Sequence, residues 1–226
     1  SYHEFNKVDK GRALVKELLE GKNIALITDA GTPGISDPGE VLVQLCHEAG
    51  VCVTSLPGPA ACITALTMSG LPTRRFAFEA FLPREKKEKN EILESLKNET
   101  RTIILYEAPH RLKETLKELY ANLGDRKISI CRELTKKHEE VIRTTLNKAL
   151  EYYDTNEPKG EFVLVIEGKS FDDIKKDEQD KWKEMSVEEH MKHYEDEGID
   201  RKEAMKLVAK DRGVTKREIY SYLNVK

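Results

Sequence analysis

The chain has 226 residues, of which 38% are hydrophobic and 35% are charged, with a net charge of −3. That length can bury one large core, or two modest ones with a small appendage. No stretch approaches the roughly 20 apolar residues that span a bilayer, and the first seven residues lack the apolar run of a signal peptide, so the composition argues against a membrane or secreted protein.

The four cysteines do not form a recognisable metal or disulfide pattern. Cys46, Cys52, Cys62 and Cys131 contain no C-x-x-C pair and no tight cluster with histidine. A zinc site or disulfide framework would need closer and more regular spacing. Cys52 and Cys131 lie in apolar runs, so buried thiols are the simpler interpretation. We therefore predict a cytoplasmic protein that holds no metal.

Residues 1–76 repeat a pattern of amphipathic helix, short apolar run and Gly- or Pro-rich loop. A helix that includes Leu14 and Leu18 precedes a strand predicted at 24–27. A second helix ends near Gly50, before a strand predicted at 51–53, and a third helix is predicted over Ala60–Met68. Strands that alternate with helices of this length indicate βαβ units, so we predict an N-terminal α/β domain with a mostly parallel sheet.

Residues 77–169 restart the pattern and are predicted to form a second α+β domain with a mixed sheet. Helices are predicted over 84–96 and 110–123. The pattern restarts near 76–83, and apolar or alternating runs predict strands at 102–106, 128–131, 139–145 and 162–166.

The last segment differs in composition from the rest of the chain. Residues 170–197 carry eleven acidic and five basic side chains, whereas residues 198–226 carry eight basic and four acidic ones. The stretch 170–185 is predicted to be an acidic linker. Three capping boxes then predict three helix starts, which indicates a small helix-turn-helix-like unit over 186–226; the pairs are Ser186 with Glu189, Asp200 with Glu203, and Thr215 with Glu218.

Two glycine- and proline-rich loops directly follow the first two predicted strands. Asp29–Gly39 contains three glycines and two prolines, and Ser55–Pro59 leaves the next strand. In open α/β sheets, ligands bind at the carboxyl ends of strands. Neither loop is a G-x-G-x-x-G fingerprint or a P-loop, which disfavours a dinucleotide or nucleoside triphosphate site. Rigid turns have the same composition, so either loop alone could be only a turn. The spacing by itself indicates a small-molecule site and nothing more specific.

Six segments in the same order resemble the ribosomal RNA small subunit methyltransferase I family of the tetrapyrrole methylase-like superfamily; they are 25–39, 56–61, 81–84, 106–111, 132–136 and 159–161. The helical unit at the end also resembles that family. Tetrapyrrole methylases usually carry a Gly-Asp-Pro version of the first loop, so Asp29–Gly39 and Tyr106–Arg111 point to this branch. The family begins with a further strand, a Gly-Asn-Leu loop and a helix before its Ser-Tyr-His-Glu. We therefore expect a sheet without that strand and impaired activity.

The resemblance implies S-adenosylmethionine as methyl donor, a cytidine 2′-hydroxyl of small-subunit (16S) ribosomal RNA as acceptor, and a homodimer that acts on ribosomal RNA or the small ribosomal subunit. It implies that the cofactor lies between the two α/β domains, against Asp29, Ala30, Gly31, Thr32, Ile35, Asp37, Ser55, Leu56, Pro57, Gly58, Thr64, Ala65, Tyr106, Glu107, Glu133, Leu134 and Gly160. The RNA candidates are Arg84, His110, Arg111, Lys136, Arg212, Lys216 and Arg217.

A ribose hydroxyl is a poor nucleophile, and a base within reach would accelerate its attack by about 10²–10⁴-fold. The candidates for that base are Asp37, Glu107, His110, Glu133 and Lys136, and the sequence assigns none of them. Several of these side chains have simpler interpretations, such as helix capping by His110 or satisfaction of backbone donors by Glu133. Two other functions stay open: methylation of a tetrapyrrole-like small molecule, and RNA or ribosome binding without catalysis.

Overall fold

A computed structural model describes residues 1–224. The chain folds into two compact units, of which the first is Ser1–Gly168 and the second begins at Lys169. Within the described residues, no helix is both long enough and apolar enough to cross a membrane.

The first unit is built on one mixed five-stranded sheet. Its strands are β1 (Phe76–Phe81), β2 (Thr102–Glu107), β3 (Lys127–Arg132), β4 (Glu140–Thr145) and β5 (Phe162–Ile166), in the order β1-β2-β5-β3-β4. Only β1 and β2 run parallel, and the other neighbours are antiparallel. The mixed sheet predicted for residues 77–169 is therefore confirmed.

Helices cover both faces of this sheet. In chain order the unit contains α1 (Lys7–Leu19), α2 (Glu40–Glu48), α3 (Ala61–Ser69), α4 (Lys86–Leu96), α5 (Pro109–Leu123) and α6 (Leu146–Thr155). Alternate residues of each strand point to opposite faces. In β2, Ile103 and Leu105 pack against α4, α5 and α6, whereas Ile104 packs against α3. The result is an α/β/α arrangement, in which α3 alone lies on its face of the sheet.

The strands predicted at 24–27 and 51–53 are not hydrogen-bonded into a sheet within residues 1–224, so the predicted parallel sheet is not observed there. A strand is defined by its ladder, and neither segment has a paired neighbour in the described part of the chain. Ile27 is accordingly 84% exposed. The thiol of Cys52 is exposed as well, which corrects the prediction that it is buried, whereas Cys131 is buried as predicted.

Up to residue 224, the second unit contains four helices, which are α7 (Phe171–Lys183), α8 (Val187–Asp196), α9 (Arg201–Arg212) and α10 (Lys216–Asn224). The prediction of a linker over 170–185 is wrong, because α7 occupies most of that segment. Ser170 Oγ accepts a hydrogen bond from Asp173 N at 3.0 Å, and acidic residues lie in the first turn and lysines in the last. Caps and charges matched to the helix dipole stabilise a helix even where apolar periodicity is weak.

The three predicted helix starts are observed at α8, α9 and α10, and two of them are reciprocal capping boxes. Ser186 Oγ accepts from Glu189 N at 3.1 Å, while Glu189 Oε2 accepts from Ser186 N at 3.0 Å. Thr215 and Glu218 exchange the same pair of bonds, and Asp200 Oδ1 accepts from two first-turn N–H groups. Gly213 ends α9 in the left-handed region at φ 64°. The helix-turn-helix-like prediction is confirmed.

A buried histidine on α8 contacts both α7 and α9 in the second unit. His190 is fully buried, and its ring stacks on Trp182 with centroids 4.0 Å apart. Arg212 Nε donates to His190 Nδ1 at 3.1 Å, which makes Nδ1 an acceptor and leaves the ring proton on Nε2. That nitrogen lies 3.3 Å from Asp211 Oδ2 without the alignment of a hydrogen bond. Burial first, and then the charges of Arg212 and His193, lower the pKa of His190 against the opposing effect of Asp211.

The second unit is therefore expected to lose stability in mild acid. Because the folded state holds the pKa of His190 below its usual value near 6.5, the unfolded state binds the proton first as the pH falls. The stability present above pH ~6.5 is lost as pH falls through the folded pKa, by at most about 1.4 kcal/mol per pH unit. Urea unfolding followed by Trp182 fluorescence measures this loss. His190→Gln should remove the dependence, and His193→Gln, which removes only the weakest of the charges acting on His190, should keep most of it. A dependence unchanged in His190→Gln contradicts the assignment.

Candidate active site

In the second half of the first unit, the loops that carry predicted site residues all lie at the same end of the strands. Phe81 at the end of β1 pairs with Tyr106 near the end of β2, and Phe162 at the start of β5 pairs with Glu107. Phe162 also pairs with Arg132, the last residue of β3. The segments after β1, β2 and β3 and the segment before β5 are thus neighbours, although they are far apart in sequence.

The two glycine- and proline-rich loops are joined directly. Thr32 donates to the carbonyl oxygen of Pro59 twice, from its backbone N at 2.9 Å and from Oγ1 at 3.1 Å. A Cβ placed on Gly58 would lie 2.8 Å from Thr32 Oγ1, and one on Gly31 would lie 3.2 Å from the same carbonyl oxygen. The loops approach closely only because both positions are glycine. The prediction that they form one crevice is therefore supported by their contact.

Tyr106 connects these loops with the sheet. Its hydroxyl oxygen accepts a hydrogen bond from the backbone N of Cys62, in the first turn of α3, at 3.1 Å. Burial is the main cause that raises the pKa of Tyr106 to about 12, and the carboxylate of Asp37 contributes through its charge. The hydrogen bond brings the first turn of α3 to the end of β2, and Pro59, two residues before α3, ties the loop of Thr32 to the same place. A tyrosine with this pKa stays neutral at physiological pH and serves as a hydrogen-bonding group.

Glu133 organises the neighbouring loop after β3. Its Oε1 accepts from Glu161 N at 2.9 Å and from Lys136 Nζ at 3.1 Å, and Lys136 Nζ also reaches Glu161 Oε2 at 2.8 Å. The bond from Glu161 N is the first cause that lowers the pKa of Glu133; the bonds to Glu161 and Glu133 raise the pKa of Lys136. A Cβ on Gly160 would lie 2.5 Å from Glu133 Cγ. Glu133 itself has a strained φ of 50°, a feature that clusters at functional sites.

Two of the predicted site residues are buried supports rather than ligand contacts. The carboxylate of Glu107 is 1% exposed, accepts from Thr115 Oγ1 at 2.5 Å and Ala108 N at 2.8 Å, and lies 3.5 Å from Arg111 Nε. Arg111 donates its Nη2 to the carbonyl oxygen of Leu82 at 2.7 Å. The prediction that Glu107 contacts the cofactor is corrected because its oxygens are enclosed, and Arg111 is committed to protein groups rather than to phosphate.

Two further predictions are corrected by packing. Ala65 is fully buried in the core between α3 and the sheet, so it cannot line a cleft. Its neighbour Thr64 donates Oγ1 to the carbonyl oxygen of Ala60 at 3.1 Å and is only partly buried. The side chain of Arg212, predicted to contact RNA, is engaged inside the second unit, where its Nη2 donates to the backbone carbonyls of Met185 and Ser186 and its Nε donates to His190.

The remaining predicted site residues stay accessible. Asp29, Asp37 and His110 are exposed, as are Arg84 and Arg217, and within residues 1–224 these side chains form no ion pair and no hydrogen bond. Leu56 is 83% exposed and Ile35 is 42% exposed. The other accessible or partly accessible candidates are Ala30, Ser55, Pro57, Leu134 and Lys216.

Sequence reasoning did not select Cys62 or Thr115, whose hydrogen bonds hold Tyr106 and Glu107 in place. Cys62 acts through its backbone N–H, so any residue type could occupy that position. Thr115 lies eight residues after Glu107, on the second turn of α5, where a helical face brings it back over the end of β2. A buried threonine on an otherwise apolar helix face was the available signal.

The fold and the joined loops define a class of protein. Residues 2–150 match the family model described as Tetrapyrrole (Corrin/Porphyrin) Methylases. The crystal structure of the methyltransferase CobJ shares the fold with a TM-score of 0.56 and 17% identity, covering 72% of this chain and 71% of that chain. A crystal structure of diphthine synthase shares it with a TM-score of 0.54 and 16% identity, covering 73% of this chain and 67% of that one.

Closer relatives narrow this class. Ribosomal RNA small subunit methyltransferase I of Bacillus subtilis (strain 168) is 47% identical over 226 residues, which are 100% of this chain and 77% of the relative. The protein of that name from Halalkalibacterium halodurans is 48% identical over 98% of this chain and 76% of the relative, and the one from Synechocystis sp. is 43% identical over 97% and 77%. The chain belongs to the ribosomal RNA small subunit methyltransferase I family, as the motif resemblance predicted.

Proposed function

We propose that this protein transfers the methyl group of S-adenosylmethionine to the 2′-hydroxyl of a cytidine in small-subunit ribosomal RNA. The observation that carries the proposal is the double hydrogen bond between Thr32 and Pro59, which joins the two loops beside Tyr106. The relatives' names supply the acceptor class, and the small ribosomal subunit in the cytoplasm is the proposed partner. A homodimer is part of the same proposal.

The residues of the cleft fit the chemistry of the cofactor. Asp29 and Asp37 are exposed and unpaired within the described chain, and the loop 29–39 contains no basic residue. This acidic loop suits the ammonium, sulfonium and ribose hydroxyl groups of S-adenosylmethionine, while Leu56 and Ile35 offer apolar surface to its uncharged parts. The cofactor supplies a methyl group on a positively charged sulfur, which is electrophilic without further activation. The proposed contacts are Asp29, Ala30, Gly31, Thr32, Ile35, Asp37, Ser55, Leu56, Pro57, Gly58, Thr64, Tyr106, Leu134 and Gly160.

The main task of the protein is then alignment of the acceptor oxygen, which can contribute roughly 7–11 kcal/mol to lowering the barrier. Of the five candidate bases, Glu107 is enclosed, and Glu133 and Lys136 are paired with each other. The raised pKa of Lys136 also keeps it protonated. The geometry leaves Asp37 and His110 as accessible side chains free to take the hydroxyl proton. The charge of Asp37 also contributes to the raised pKa of Tyr106.

Basic side chains on both units suit an RNA acceptor. Arg84 in the first unit and Arg217 in the second are exposed and form no ion pair within residues 1–224, and Lys216 is partly exposed beside Arg217. Contacts from such groups to phosphate provide affinity rather than sequence choice. RNA binding through them is expected to weaken steeply as the salt concentration rises.

The test is methyl transfer from radiolabelled S-adenosylmethionine to small ribosomal subunits that lack this modification. We expect label in the ribosomal RNA, at one cytidine whose 3′ phosphodiester resists alkaline cleavage because its 2′-oxygen is methylated. Label in an added tetrapyrrole but not in RNA would assign the protein to the metabolite methylases. Salt-sensitive RNA binding without cofactor binding or label would make it a binding protein. Calorimetric titration with S-adenosylmethionine separates the last outcome from the first two, because both methylases bind the cofactor.

A further inference from the structure

An irregularity in β1 turns the side chain of Phe81 toward Tyr106. The pairing of β1 with β2 shifts by one residue between Phe78 and Ala80, and Ala80 has a positive φ of 50°. A β-bulge redirects the side chains that follow it, since a one-residue shift moves each to the other face of the sheet. With regular alternation Phe81 would lie on the face opposite Phe78. The bulge places it on the same face instead.

The ring contacts confirm that placement. Phe78 and Phe81 both meet Tyr106 edge-to-face, with centroids 5.0 and 5.6 Å from it. Tyr106 is the residue whose hydroxyl oxygen contacts the first turn of α3. Phe78 is partly buried, whereas Phe81 is 49% exposed. The strained backbone at Ala80 therefore leaves Phe81 beside Tyr106 and half exposed instead of buried.

The display is rigid. Leu82, the next residue, is 2% exposed in the main core, and its carbonyl oxygen is held by Arg111. Arg111 is in turn paired with the enclosed carboxylate of Glu107. A fixed aromatic ring binds a planar partner at low entropic cost, because little motion is lost on binding.

Positive charge follows this ring directly. Arg84, Lys86 and Lys87 are exposed and form no ion pair within the described residues. The one acid among them, Glu85, accepts hydrogen bonds from Lys87 N and Glu88 N at the start of α4, and these bonds lower its pKa. Its charge is thus directed at the helix end. An exposed aromatic surface followed by unpaired cations matches a nucleic acid strand, in which bases alternate with phosphates.

We propose that Phe81, supported edge-on by Tyr106, is a stacking surface for an unstacked base of the RNA acceptor, with Arg84, Lys86 and Lys87 contacting its phosphates. This proposal rests on the proposed function for the identity of the strand as ribosomal RNA. Single-stranded RNA is commonly recognised by stacking of its bases on aromatic side chains. Phe81 would thus position the acceptor without taking part in the chemistry.

The experiment compares the full chain with Phe81→Leu, Phe81→Tyr and Phe76→Leu, by fluorescence anisotropy with a short cytidine-rich single-stranded RNA and with its abasic counterpart. Both strands carry the same phosphates, so the ratio of their affinities isolates the contribution of the bases. We expect Phe81→Leu to weaken binding of the base-containing strand by about 5- to 100-fold and to leave the abasic strand unchanged. Phe81→Tyr should stay within about threefold of the unaltered chain. Phe76, at the far end of β1, is the matched control.

The proposal is overturned if Phe81→Leu keeps the full preference for the base-containing strand, or if Phe81→Tyr loses as much as Phe81→Leu. It is also overturned if Phe81→Leu lowers the affinity for S-adenosylhomocysteine by a similar factor, since the ring would then belong to the cofactor site. Base stacking by a chain that fails to methylate ribosomal subunits would support this inference and reject the proposed function. Methyl transfer that is unaffected by Phe81→Leu would support the proposed function and reject this inference.

Discussion

The Gly58→Val variant is expected to bind S-adenosylmethionine at least about 100-fold more weakly than the unaltered chain. A Cβ at this position would lie 2.8 Å from Thr32 Oγ1, and threonine is too stiff at χ1 to move aside cheaply. Displacement of Thr32 breaks its hydrogen bonds to Pro59 and opens the crevice between the two loops. Each tenfold loss of affinity corresponds to about 1.4 kcal/mol. Calorimetric titration measures the change.

Gly50→Asn provides the control for this prediction. Gly50 follows α2 at φ 70°, a conformation that asparagine tolerates, and a Cβ there would have no neighbour within 4 Å. Its affinity for the cofactor should match that of the unaltered chain. If Gly58→Val binds as tightly as this control, the cofactor does not lie between the two loops.

Glu107→Ala is expected to reduce the free energy of unfolding of the first unit by about 3–5 kcal/mol. Loss of the carboxylate leaves the guanidinium of Arg111 without its buried partner, and removing one member of a buried ion pair is costly. It also removes the acceptor of Thr115 Oγ1. Urea unfolding should be followed by far-ultraviolet circular dichroism, because the single tryptophan, Trp182, lies in the second unit and does not report on the first.

Glu114→Ala is the matched control, since its carboxylate lies on α5, the helix that carries Arg111 and Thr115, but is 74% exposed. That change should alter the free energy of unfolding by no more than about 0.5 kcal/mol. Glu107→Gln keeps part of the hydrogen bonding and should fall between the two. A loss below about 1 kcal/mol in Glu107→Ala would remove the basis for treating this carboxylate as a support, and would return it to the candidates for catalysis.

Features that depend on short stretches of sequence were predictable. The caps Ser186, Asp200 and Thr215 start helices where expected, because their hydrogen bonds join residues only two or three apart. The strands β2 and β5 were also predicted, since both are buried on two faces and read as continuous apolar runs. In contrast, α6 was missed, because Thr145 ends β4 and also caps the helix that follows without a loop between them.

Features that depend on distant partners were not predictable. An apolar run such as 24–27 becomes a strand only when another segment supplies hydrogen bonds, and its own residues do not determine that. In the site, a glutamate after a strand can face solvent or the core, so the enclosure of Glu107 depends on Thr115 and Arg111. The bulge at Ala80 is the extreme case, because alanine has no preference for positive φ and tertiary contacts alone hold it there.

The division of labour between the faces and one edge of the sheet has an evolutionary consequence. The two faces are covered by helices and contain the buried core, whereas the loops that carry the predicted site residues leave one end of the strands. Mutations in those loops can therefore explore new acceptors while the stability of the core is little affected. Proteins with 16–17% identity that retain this fold show how far sequences diverge around a constant sheet. Selection can therefore act on the loops and on the core almost independently.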